Sequence, residues 1–154
     1  MPIDTPGAIL YLTVMKETLK SRTRLKYLTL LFALVLAGIV VIANLGYGGT
    51  LFSAARAVPH GDKICHFILM GLLSFFVNTA FSARRFRIMS VSVLKGSFLV
   101  FAIVTAEEFS QLFLEYRTFS LSDLVSDYAG ILLFGRLAFW IEKRRISNTP
   151  AASA

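Results

Sequence analysis

The chain has a single cysteine, Cys65, so no intramolecular disulfide can form and cysteine usage says nothing about redox compartment. Charge is equally sparse. Asp, Glu, Lys and Arg make up 16% of the 154 residues, against 56% hydrophobic, and mean hydropathy is +0.69. A soluble domain of this size has too little interior for that much apolar side chain. The four prolines and ten glycines are scattered, with no low-complexity tract and no internal repeat. There is no His-Glu-x-x-His, no Gly-x-Ser-x-Gly and no Gly-rich phosphate loop. The common signatures of zinc hydrolases, serine hydrolases and nucleotide binders are therefore missing. The apolar runs are continuous rather than alternating, and an open sheet edge cannot sit in lipid, so strands are not expected. The expected fold is all-α and integral to a membrane.

A membrane helix needs about 20 mostly apolar residues. Four stretches meet that requirement: residues 27–45, 64–81, 91–114 and 121–141. The first could also be read as a signal peptide, with Val41 and Ala43 placed for cleavage. Its basic lead-in and apolar run are both too long for one, so it is expected to stay as an anchor. Lys16, Lys20, Arg22, Arg24 and Lys26 precede the first span; Arg84, Arg85 and Arg87 separate the second from the third; Lys143, Arg144 and Arg145 follow the fourth. On the opposite side lie only Arg56, Lys63 and Arg117. The excess of bases marks the cytoplasmic side, so both termini are expected there. Lys95 and Arg136 fall inside spans, near enough to the cytoplasmic ends to snorkel. Residues 1–26 form a basic cytoplasmic segment, of which 8–19 could lie on the membrane surface as a helix. Residues 142–154 are basic and then end in a disordered tail. Bases arranged by topology are not a groove-lining patch, so nucleic acid is not an expected partner.

Six of the nine acids, Asp62, Glu107, Glu108, Glu115, Asp123 and Asp127, fall on the side where bases are scarce. Helical spacing gathers them. Lys63 and His66 are three apart at the start of the second span; Glu108 and Gln111 are three apart near the end of the third; Asp123, Asp127 and Gly130 form one stripe of the fourth. A charge facing lipid at the membrane centre costs about 2.5 to 3.5 kcal/mol, so the economical arrangement turns these stripes toward one another. Each residue also has a plainer reading. Asp62 follows "PHG" and reads as a helix N-cap. Asp123 follows Ser120 by three, a capping-box spacing. Lys63, in a first helical turn, opposes the helix dipole unless a carboxylate from another helix meets it. His66, alone on an apolar helix, is an ordinary packing histidine as readily as a catalyst.

"DKICHF" at 62–67 and "EFSQLFLEYRTFSLSDLVSDYAG" at 108–130 resemble the VanZ-like family of small bacterial membrane proteins. Asp62, Lys63, His66, Glu108, Gln111, Arg117, Asp123 and Gly130 match that family's pattern in type and spacing. Asp127 stands where the pattern has asparagine. The resemblance covers roughly residues 27–141 and implies a four-helix membrane domain in the bacterial inner membrane, with a polar layer at the outer face. The family's namesake is associated with low-level teicoplanin resistance, and the family has no established reaction. The binding residues it implies are Lys63, His66, Glu108, Gln111, Arg117, Asp123 and Asp127, with no cofactor and no metal. The expected function is that of a non-catalytic accessory protein recognising a membrane lipid or lipid-linked envelope precursor. Two alternatives stand beside it. One is an intramembrane enzyme acting on a lipid-linked substrate, either by acid/base chemistry with Glu108 or Asp127 as base and His66 as acid, or metal-assisted through His66, Glu108, Asp123 and Asp127; the other is a structural ion-pair network without a ligand.

Overall fold

The computed structural model describes residues 6–51, 53, 57–115 and 117–147. Arg56 and the tail 148–154 lie outside the described residues, so the expectations that involve them have no structural counterpart. Among the described residues four helices are long and apolar enough to cross a membrane. They are α1 (Pro6–Ile42), α2 (Gly61–Ala80), α3 (Lys95–Ser110) and α4 (Leu121–Ser147).

Helix α1 runs unbroken for 37 residues. At 1.5 Å per residue that is about 55 Å, well beyond the roughly 30 Å of a hydrocarbon core. Residues 8–19 are therefore helical but are not a separate surface element; they continue directly into the span. A wider π-type turn at Ala43–Tyr47 and a short helix at Gly48–Leu51 end the segment, where Gly46 takes φ 89°. Leu30, Leu31, Leu34, Val35 and Val41 of α1 are exposed, as lipid-facing side chains would be.

The core belongs to the other three helices. Val100 and Val104 of α3 pack with Leu124 and Ile131 of α4, flanked by Met70, Leu73 and Val77 of α2. Pairing is most extensive between α2 and α4, while α1 leans mainly on α2. The close approach of α2 and α4 requires glycine: a Cβ on Gly130 would overlap the carbonyl oxygen of Phe67. Small residues at a helix crossing let backbones approach closely where lipid supplies no hydrophobic drive.

The expectation of helices only is corrected at one place. Residues 91–94 were expected to open the third span, but they form strand β2 (Val91–Leu94), antiparallel to β1 (Arg85–Ile88), with Arg85 opposite Leu94 and Ile88 opposite Val91. The turn places Met89 at φ 53°. "MSVSV" at 89–93 alternates with period two, and Val91 and Val93 are β-branched. The apolar run that follows masked this short signal. The loss does not leave α3 too short. Its 16 helical residues and the 3₁₀ turn Gln111–Phe113 still reach about 30 Å.

Candidate functional site

The buried stripe of α3 runs Ser97, Val100, Val104, Glu108 and then Gln111 of the following turn. The stripe of α4 runs Leu124, Asp127, Ile131, Gly135, Ala138 and Glu142. Both stripes have the i, i+3, i+4 spacing of one helix face, apolar in the middle and polar at the ends. One end gathers Lys63 and His66 from α2, Glu108 and Gln111 from α3, and Asp123 and Asp127 from α4.

Lys63 has the partner its position demanded. Its Nζ donates to Asp62 Oδ2 at 2.9 Å and to Asp123 Oδ1, across the helices, at 3.4 Å. His66 Nδ1 lies 3.1 Å from Asp127 Oδ1, and the Asp127 side chain is only 2% exposed. Just below, Tyr128 stacks on Phe101 and its hydroxyl meets Thr105 Oγ1 at 2.8 Å, tying α4 to α3.

The two adjacent glutamates are treated differently. Glu108 is buried and Glu107 is partly exposed. The Gln111 side-chain amide bridges them, donating to both oxygens of Glu107 and to Glu108 Oε2 at 3.2 Å. The backbone N–H of Ser120 donates to Glu108 Oε1 at 2.7 Å. That last bond divides the expected capping box between two helices. Ser120 Oγ does accept the Asp123 N–H, at 3.3 Å. The reciprocal bond to the Ser120 N–H, however, comes from Glu108 on α3 and not from Asp123. Asp123 is thereby released to meet Lys63.

The capping role expected of Asp62 is corrected. The cap position of α2 is His60, in the left-handed region at φ 56° and with no side-chain cap bond. The chain turns into the helix two residues earlier than "PHGD" suggested, which leaves Asp62 exposed in the first turn beside Lys63. Arg117 is half-buried in the loop before α4 and, among the described residues, makes no hydrogen bond or ion pair. Glu108 accepts only from neutral donors and makes no ion pair among the described residues; His66 acts on it through space without touching it. No group of three or more His, Cys, Asp or Glu among the described residues is placed to hold a metal ion.

Two further polar groups escaped the sequence reading. In the middle of the bundle Asn78 Nδ2 donates to Ser74 O at 2.8 Å and to Ser97 Oγ at 2.8 Å, and Asn78 Oδ1 accepts the Ser97 N–H at 3.2 Å. At the opposite end from Glu108, buried Glu142 meets Arg22 Nη2 and Arg145 Nη1, each at 3.4 Å, and so fastens α1 to α4. Extending the Asp127 stripe by 4, 3 and 4 residues from Ile131 reaches Glu142, so this residue was legible in the spacing.

No family model matches the chain, and no solved structure matches it. An uncharacterized protein of the fission yeast Schizosaccharomyces pombe is 34% identical over 116 residues, covering 75% of this chain and 67% of the relative. That relative is eukaryotic, so the comparison does not support a bacterial inner membrane as the setting.

Proposed function

The chain belongs to the same family as that fission-yeast protein, and from that premise we propose that it is a multi-pass membrane protein whose acid-lined end binds the head group of an amine-bearing phospholipid. One observation carries the reading: Glu108 is 1% exposed yet makes no ion pair among the described residues, with His66 acting on it only through space. Removing a carboxylate from water costs several kcal/mol unless a counter-charge or dense hydrogen bonding compensates it. Two neutral donors compensate in part, and an ammonium group would complete the set. Arg117, without an anion of its own, would take the phosphate of the same head group, and the partly exposed Lys63 stands as a further donor.

This deepens the expectation of a lipid or lipid-linked precursor as ligand by naming its charges. A bare phosphate is disfavoured because acids outnumber bases here. In this reading both termini face the cytoplasm, the acid layer lies at the outer leaflet, and the likeness to VanZ-like proteins at residues 62–67 and 108–130 agrees with a shared site. The role is accessory, with no reaction assigned.

A second reading, a purely structural lock, is favoured by the Lys63–Asp123 and His66–Asp127 pairs. One experiment separates the two. Protein reconstituted in bilayers of equal phosphatidylethanolamine, phosphatidylcholine and phosphatidylglycerol is extracted gently, and its retained lipid is counted by native mass spectrometry. Phosphatidylethanolamine should be enriched, and Glu108→Gln should abolish the enrichment in a protein that remains folded. Equal retention of all three lipids, or enrichment that survives the substitution, would leave the structural lock as the better account.

A further inference from the structure

The end of the bundle opposite Glu108 contains a cavity of about 380 Å³ lined by Arg22 and Lys26 of α1, Phe81 and Ser82 after α2, Arg84, and Lys95 at the start of α3. Four cations from three parts of the chain line it, and no acid does, although Arg22 also pairs with Glu142 outside the lining. Topology alone asks only that bases lie on this side of a membrane. It does not ask that they share one hollow. Neighbouring bases show the contrast: Arg85 is engaged over the Phe139 ring at 3.6 Å and Arg144 over Trp140 at 3.5 Å. Among the described residues the side chains of Lys26, Arg84 and Lys95 have no hydrogen-bond or ion-pair partner.

The uncharged groups suit the same ligand. Ser82 Oγ accepts a hydrogen bond from Arg22 Nη1, which leaves its own O–H free to donate into the hollow. Ser82 and Ala83 are both held in the left-handed region, at φ 55° and 48°. Their turn is pinned by the Ala83 N–H donating to Asn78 O at 2.6 Å and the Lys95 N–H to Arg84 O at 2.9 Å. The start of α3, whose cap residue Leu94 offers no side-chain bond, adds the positive end of a helix dipole. Phe81, at the wall, is 42% exposed and offers an apolar edge.

We propose that this cavity is a binding site for a phosphate monoester, with guanidinium and ammonium donors from α1, the α2–β1 turn and α3 converging on it. Two sources share that chemistry: the head group of an anionic lipid in the adjoining leaflet, and a soluble phosphate. The site is separate from the acid-lined end and does not depend on the function proposed there.

The test is calorimetric titration of the full chain in a neutral detergent with dihexanoyl phosphatidic acid, dihexanoyl phosphatidylcholine and inorganic phosphate. Phosphatidic acid should bind, phosphatidylcholine should not, and Arg84→Gln with Lys95→Gln should weaken binding at least tenfold. Both side chains are exposed, so the fold should survive. Arg24→Gln with Arg87→Gln removes the same charge from exposed positions outside the cavity and should change affinity less than twofold. Tighter binding of phosphatidic acid than of inorganic phosphate assigns the site to lipid; equal binding assigns it to a soluble phosphate. Equal losses in the two double variants, or no preference for phosphatidic acid over phosphatidylcholine, would overturn the proposal.

Discussion

Around Asn78 the buried polar side chains of Ser74, Asn78 and Ser97 satisfy one another through neutral hydrogen bonds. At the acid-lined end Glu108 is buried without an ion pair, and Arg117, three residues before the Ser120 that donates to Glu108, makes no ion pair either, among the described residues. Both regions put polar groups where three helices meet, and helix geometry alone does not separate them. What separates them is completeness. A closed neutral network between helices contributes stability and specificity and leaves nothing over for a ligand. An open charged one holds unmatched groups at a cost, and unmatched groups are what a ligand can match.

That contrast can be broken at several points, beginning with the packing both regions depend on. Gly130→Ala should be the most damaging change, costing about 3 kcal/mol, because the new Cβ meets the Phe67 carbonyl and only a shift of a whole helix can relieve it. Thermal unfolding in detergent measures this, with Gly38→Ala as the control, since nothing lies within 4 Å of a Cβ there. Asn78→Ala should cost about 2 kcal/mol by the same assay, because the Ser97 N–H loses its acceptor and Ser97 Oγ a donor. A loss as small as that of an exposed substitution would mean the middle layer is not the closed network described.

Glu108→Gln should behave oppositely. The amide oxygen can still accept the Ser120 N–H, so unfolding should move by less than about 0.5 kcal/mol, while affinity for phosphatidylethanolamine should fall about tenfold, near 1.4 kcal/mol. A large loss of stability without loss of binding would make Glu108 a structural residue like Asn78. The smallest effect is expected of Arg117→Gln, about threefold in lipid affinity with no change in unfolding, since Arg117 has no partner to lose among the described residues.

Much of the polar end was legible because its residues repeat at helical spacing. Lys63 in a first turn demanded a foreign carboxylate, and Asp123 supplies it. Gln111 is at helical spacing from both glutamates, so only the resemblance singled out Glu108 over Glu107, and it is Glu108 that is buried. The division of the capping box was not legible, because the spacing from Ser120 to Asp123 is satisfied locally and says nothing of a competing acceptor on another helix. The hairpin was not legible because the short alternation at 89–93 runs straight into a long apolar stretch at Leu94.

Four apolar segments, the clustering of bases around them and the polar stripe on each of three helices are all written along the chain. These follow from hydrophobicity and the 3.6-residue period, which act along the chain. Only the tertiary structure decided that α1 stands beside a three-helix core, that Glu142 fastens it through Arg22, that Asn78 closes a neutral layer, and that four cations line one hollow. Each of these depends on which helix faces which, and at what depth. That is set by close packing at residues such as Gly130, where atoms far apart in the chain compete for the same space.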